Sequence, residues 1–137
     1  MKRVNSRLAA VVAVAVALGA AGIEGLKAQP APSVKRTVLL KQDSTIPGRE
    51  VVMALVELPP GATEGRHTHP AEVYGFVQEG TISLAVEGQE TKTLKAGDVF
   101  SIAPGQVHEG TNKGTATVKL SVVFVAEKGK PLTTPVQ

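Results

Sequence analysis

The sequence predicts an all-β chain, and three observations carry that expectation. Beyond residue 28 no apolar period of 3.6 persists over a useful length. Short apolar runs follow one another closely, and each is stopped by Gly, Pro, Asp or a similar turn former. Two runs alternate strictly. In TISLAVE (81–87) Ile82, Leu84 and Val86 share one face, and in TATVKLSVVFVA (115–126) Val118, Leu120, Val122 and Phe124 do. Many short strands of this kind fit an antiparallel sandwich or barrel.

The elements come in order. Val34 to Lys41 carries Val38, Leu39 and Leu40 and reads as a short strand, and DSTIPG (43–48) reads as the turn after it. Val51 to Leu58 is the next strand and stops at Pro59-Pro60-Gly61. Val73 to Gln78 stops at Glu79-Gly80, and Thr81 to Glu87 stops at Gly88. Thr91 to Leu94 ends at Ala96-Gly97-Asp98, and Val99 to Ile102 ends at Pro104-Gly105. Thr115 to Ala126 closes the series, and the polar stretch from Lys128 to Gln137, with two prolines, reads as a peripheral tail.

The first 28 residues are set apart by composition. Lys2, Arg3 and Arg7 precede an uncharged apolar run from Leu8 to Ala21, and small residues follow. That order of basic, apolar and small segments predicts a secretory signal peptide, residues 1–28, cut after Ala28, with Ala20, Ala21 and Gly22 as alternative points. The apolar run is short for a spanning helix and is mostly Ala and Val, so no stable membrane anchoring is expected. The expected organisation is then a partly flexible N-terminal arm (29–47), a barrel (48–127) and the tail (128–137). The localisation it implies is periplasmic or secreted.

Charge narrows the partners. The formal net charge of +3 resides in residues 1–28; the remainder balances eleven basic against eleven acidic side chains. A neutral mature chain has no electrostatic case for nucleic acid or an anionic membrane surface. With no cysteine there is no disulfide and no thiol nucleophile, so the exported chain must fold on an ordinary apolar core.

The whole chain holds three histidines: His67, His69 and His108. Residues i and i+2 of a strand project to one face, so His67 and His69 stand side by side as two ligands of one metal ion would need. Such a pair alone is more often a surface feature than a metal site. Its glycine frame adds to it. Gly61 precedes His67, and Gly80 follows His69; later come Gly97-Asp98, Pro104-Gly105, His108 and Asn112.

These two stretches, GATEGRHTH (61–69) through to Gly80 and GDVFSIAPGQVHEGTN (97–112), resemble the two motifs of the cupin family. The resemblance spans residues 61–112, and the strand pattern extends it to about 48–127. It implies a small jelly-roll barrel of two antiparallel sheets, with a divalent metal ion held inside by His67, His69 and His108. His67 and His69 would come from one strand and its lead-in, and His108 from a facing strand. Many cupins add a carboxylate ligand four residues past the second histidine, where this chain has Val73. Glu72 stands one residue early, and on a continuous strand it faces the other way. Only a bulge at Pro70 would make Glu72 a fourth candidate ligand. Ala103 departs from the proline common in the second motif. Tyr74 is a candidate pocket residue, the phenylalanines read as core, and Arg66 and Glu109 read as surface.

Two functional readings stay open. One is a metal-dependent enzyme of dioxygenase or isomerase type acting on an unknown small molecule, with Zn, Fe, Mn, Ni or Cu as the ion. The other is a non-catalytic module that binds a metal or a small molecule. Beside these two stands a plainer, structural reading, a metal-free barrel with unused histidines. Small single-barrel cupins often pair through sheet edges, which leads to an expected homodimer through the segment Val34 to Lys41.

Overall fold

The computed structural model describes residues 29–137, all strand and loop. The predicted signal peptide lies outside the described residues. Ten strands form: β1 (Lys35–Asp43), β2 (Arg49–Leu58), β3 (His67–Thr68), β4 (Ala71–Glu79), β5 (Thr81–Val86), β6 (Lys92–Lys95), β7 (Val99–Ile102), β8 (His108–Thr111), β9 (Val118–Glu127) and β10 (Thr134–Pro135). They make two five-stranded antiparallel sheets, in the orders β1-β2-β9-β4-β7 and β10-β3-β8-β5-β6. This is the jelly-roll barrel expected of the motifs.

The first sheet carries most of the core. β2 and β9 pair over ten residues, Arg49 to Leu58 against Val118 to Glu127. Alternation puts Val52, Ala54, Val56 and Leu58 inward from β2, and Val118, Leu120, Val122, Phe124 and Ala126 inward from β9; all are buried. β4 adds Ala71, Val73 and Val77. The second sheet closes on them with Ile82 and Leu84. Each buried aliphatic side chain contributes about 1.5–3 kcal/mol by leaving water, so this interior is what holds a disulfide-free chain together.

Two glycines show why the turns and crossings need them. Gly80 joins β4 to β5 at φ +79°, and a Cβ there would lie 3.0 Å from the Thr117 carbonyl oxygen. Gly75 lets the Phe100 ring lie flat on β4: a Cβ would sit 2.0 Å from that ring.

The sheets reach beyond 48–127 at both ends. β1 is a full edge strand, paired with β2 from Lys35↔Glu57 to Asp43↔Glu50, with a bulge between Val38 and Leu40. At the other end β10 pairs with β3, Thr134 against Thr68 and Pro135 against His67. The tail is therefore part of the barrel rather than peripheral to it.

Candidate metal centre

The three histidines converge inside the barrel. His67 begins β3 and pairs directly with His108, which begins β8. The two are thus cross-strand neighbours in one sheet, His67 on one strand and His108 on the strand beside it. His69 lies at the corner where the chain leaves the second sheet for the first. The chain changes sheets across Pro70, yet inward parity runs on without a break: His67, His69, Ala71 and Val73 are all buried. Both sheets share one interior, so a residue that stays in phase stays inside.

The ring centroids are 4.8 Å apart for His67 and His69, 4.3 Å for His67 and His108, and 5.0 Å for His69 and His108. One ligand nitrogen from each lies within 4.8 Å of the others, the scale on which one ion with metal–nitrogen bonds of about 2.1 Å is shared.

Which nitrogen is free follows from the backbone. His67 Nδ1 lies 2.7 Å from the Gly65 carbonyl oxygen, His69 Nδ1 2.7 Å from that of Leu132, and His108 Nδ1 2.9 Å from that of Gln106. A carbonyl oxygen only accepts, so each Nδ1 must carry the proton and donate. In the neutral ring Nε2 is then the unprotonated lone pair, the form a metal ion requires. Burial reinforces this. Desolvation holds the His69 imidazole down at about 4, and it lowers His108 as well, so both are neutral near pH 7.

The two motifs are tied to each other. The Gly105 N–H donates to the His69 carbonyl at 2.8 Å, so the Pro104-Gly105 turn that leads to His108 is fastened to the first motif. Asn112, wholly buried, donates to the Leu58 and Ala116 carbonyls and accepts from the Gly114 N–H. That is a loop-fixing role, away from the cluster's chemistry. The tail supplies the Leu132 carbonyl to His69 and, through the Val136 N–H, a 2.9 Å bond to the Arg66 carbonyl. Phe124 packs edge-on against the His69 ring at 4.9 Å.

Glu72 points away. It is exposed on the outer face of β4 and accepts a 2.6 Å bond from the Tyr74 hydroxyl. That carboxylate raises the tyrosine's pKa. Tyr74 is therefore an outer-face residue, and Phe76 beside it is 44% exposed rather than core. Arg66 is on the surface, ion-paired with Glu87 at 2.8 Å.

The cluster opens on a cavity of about 100 Å³. Its walls are mostly aliphatic, from Val52, Ala54, Val56, Val73, Ile82 and Leu120, with Phe100 and Phe124. Arg36, Glu64 and Thr133 also line it, and the sequence reading gave none of them a role. A larger open groove of about 680 Å³ lies along Tyr74, Phe76, Leu94 and Val99, but no histidine reaches it. The donors that can do chemistry are in the smaller space.

A two-sheet barrel with three inward imidazoles defines a class, the small β-barrels able to hold a metal ion in the interior. Residues 54–125 match the cupin domain, and the chain belongs to the cupin family. It is 34% identical over 88 residues to germin-like protein subfamily 2 member 1 of Arabidopsis thaliana, covering 58% of this chain and 40% of that protein. The chain thus spans less than half of that relative's length. A conserved protein with a double-stranded β-helix domain from Klebsiella pneumoniae superposes with a TM-score of 0.64 at 23% identity, over 76% of this chain and 84% of that one. A recombinant oxalate oxidase in complex with glycolate gives 0.63 at 25% identity, over 81% of this chain and 58% of that one.

Proposed function

We propose that this cupin binds a divalent metal ion through Nε2 of His67, His69 and His108 and acts on a small molecule held in the adjoining cavity. The observation that carries the proposal is the set of three Nδ1–carbonyl bonds. They fix one tautomer in all three rings and leave three convergent lone pairs with no protein partner to receive them. Zn, Fe, Mn, Ni and Cu all suit such nitrogen donors. When bound, the ion supplies Lewis acidity and open positions for a substrate or dioxygen. The chain's own residues do the rest. The aliphatic walls exclude water, the carbonyl bonds keep the rings aimed, and the cavity volume restricts the ligand to a handful of non-hydrogen atoms. The likeness to an oxalate oxidase supports an enzymatic role.

Binding without turnover is the second reading. Its support is that no carboxylate among the described residues joins the ligand group, and that Val73, inward and apolar, stands where many cupins place one.

The test is elemental analysis of the mature protein purified without a polyhistidine tag. One metal ion per chain is expected, kept in Glu72→Ala and lost in His69→Ala. A wild-type protein that stays metal-free after incubation with divalent ions would overturn the proposal.

Export and pairing belong to the same proposal. The composition of residues 1–28 supports export to the periplasm or beyond, and N-terminal sequencing of the mature protein checks it. The β1 edge, with Val38 60% and Leu39 55% exposed, supports a homodimer through that strand. Gel filtration at monomer size would contradict it.

A further inference from the structure

The cavity beside the histidines has one cationic and one anionic side chain in its wall besides the cluster itself, Arg36 and Glu64. Arg36 reaches it from the edge strand. It stands opposite Val56 in the β1–β2 register, and Val56 points inward, so Arg36 is on the interior side of its sheet. Val38, opposite Ala54, follows on the same side, and both line the cavity. The bulge after Val38 then turns the apolar run outward.

Glu64 comes from the loop before His67. Its carboxylate is seated within the barrel, over β8. A Cβ on Gly110 would lie 2.6 Å from Glu64 Oε2, so the glycine two residues past His108 is what makes room for it. The Glu64 N–H donates to the Gly110 carbonyl at 2.9 Å and fixes the loop there. The Glu64 side chain is 13% exposed and meets the Arg36 guanidinium at 3.2 Å, while Arg36 is 46% exposed. One guanidinium nitrogen is thus engaged with Glu64, and no other hydrogen bond of this side chain is found among the described residues. Glu64 stands outside the ligand group of the three histidines.

We infer that this cavity takes a small carboxylate, with Arg36 as the residue that recognises it and Glu64 as the positioning residue that holds Arg36 at the mouth. This rests on the metal-binding reading above. The physical case is a charge balance. Arg36 and Glu64 cancel, and three neutral imidazoles leave the two positive charges of an ion uncompensated within aliphatic walls. A carboxylate ligand supplies one of the two missing negative charges. A planar carboxylate can direct one oxygen to the histidine cluster and accept from the Arg36 guanidinium with the other. A volume of about 100 Å³ holds roughly three waters' worth of matter, which admits acids of two or three carbons.

The experiment uses the mature protein loaded with zinc, with metal content measured on every sample. Affinities for acetate and glycolate are compared with those for acetamide and glycolamide, their neutral counterparts of equal size, by calorimetry. Wild type is expected to prefer the acids by at least tenfold. Arg36→Gln should lose that preference and keep its zinc; Arg36→Lys, which retains charge without the fork, should fall between. Glu64→Ala, which frees Arg36 from its anchor, should weaken acid binding severalfold, and Glu64→Gln, which keeps an oxygen acceptor for the guanidinium, should restore most of it. Arg36→Gln binding acetate as wild type does, or zinc-loaded wild type failing to distinguish acid from amide, overturns the inference and leaves the metal reading intact. Acetate binding that depends on Arg36 in a protein that takes up no metal would sustain the inference and overturn the metal reading.

Discussion

The two sheets of this barrel are built by different means. The first is a long ladder: β2 and β9 match residue for residue over ten positions, and alternate side chains from both form the apolar interior. The second reaches the site through strands of two and four residues, and β3 meets β8 at a single pair, His67 with His108. Here side-chain-to-backbone bonds and the C-terminal segment hold what strand pairing does not. The apolar interior resides mainly in the first sheet and the candidate metal ligands in and beside the second. A polar cluster is accommodated where the ladder is short because its own hydrogen bonds replace the missing ones.

The sharpest way to break this division is to damage each side separately. Leu58, wholly buried on β2, should cost about 2–5 kcal/mol of stability when changed to Ala, measured by denaturant unfolding, with metal stoichiometry intact while the chain is folded. His108→Ala should do the reverse, abolishing metal uptake and leaving metal-free unfolding nearly as it was. Equal losses of both properties in both variants would show that the sheets are not separable in this sense.

A smaller effect is expected from the tail. Ending the chain after Lys130 removes the Leu132 carbonyl from His69 and the β10 pairing from β3. Losing such an orienting partner weakens metal affinity by about 10–100-fold. Competition with a chelator would measure it, and an unchanged affinity would return the tail to the periphery.

Acid should act on the metal-free protein through the same cluster. His69 is held near 4 when folded, against 6.5 when free, and His108 is lowered too. The unfolded chain therefore binds more protons below about pH 6.5. Stability is full above that pH and is lost as the pH falls towards 4. Thermal melts between pH 7 and pH 4 should drop by several degrees, and His69→Gln should flatten the slope. The smallest effect belongs to Glu72→Gln, outside on β4, with a change under about 0.5 kcal/mol and no loss of metal. Loss of metal there would put Glu72 among the ligands.

Much of the barrel was legible because period two leaves a mark in sequence. Thr81 to Glu87 and the run to Ala126 alternate in the residues themselves, and the structure buries the predicted faces. The three histidines were legible through their glycine frame, and the outward turn of Glu72 through strand parity alone. The parity argument assumed one continuous strand and survived a change of sheet, because inward is the same direction for both. What sequence did not show is of another kind. β1 is exposed along its whole length, so no burial pattern marks its extent. Leu132 acts through its carbonyl, which every residue has. Arg36 and Glu64 are 28 positions apart and meet only through the fold; the sole local sign was a glycine at 110 with no turn to make.

The three imidazoles are aimed by the main-chain oxygens of Gly65, Leu132 and Gln106. Those oxygens are not encoded by any codon in particular. A single substitution at 106 or 132 changes a side chain and leaves the acceptor where it was, provided the loop keeps its path; Gly65, at φ +72°, is the exception, because a side chain there strains the backbone that presents the oxygen. At 106 and 132 the site's outer support is therefore nearly immune to point mutation and vulnerable to insertions, deletions and truncation. Sequence drift in the loops around the site can then alter the cavity wall while the geometry of the metal ligands persists, so one set of imidazoles can serve many different ligands.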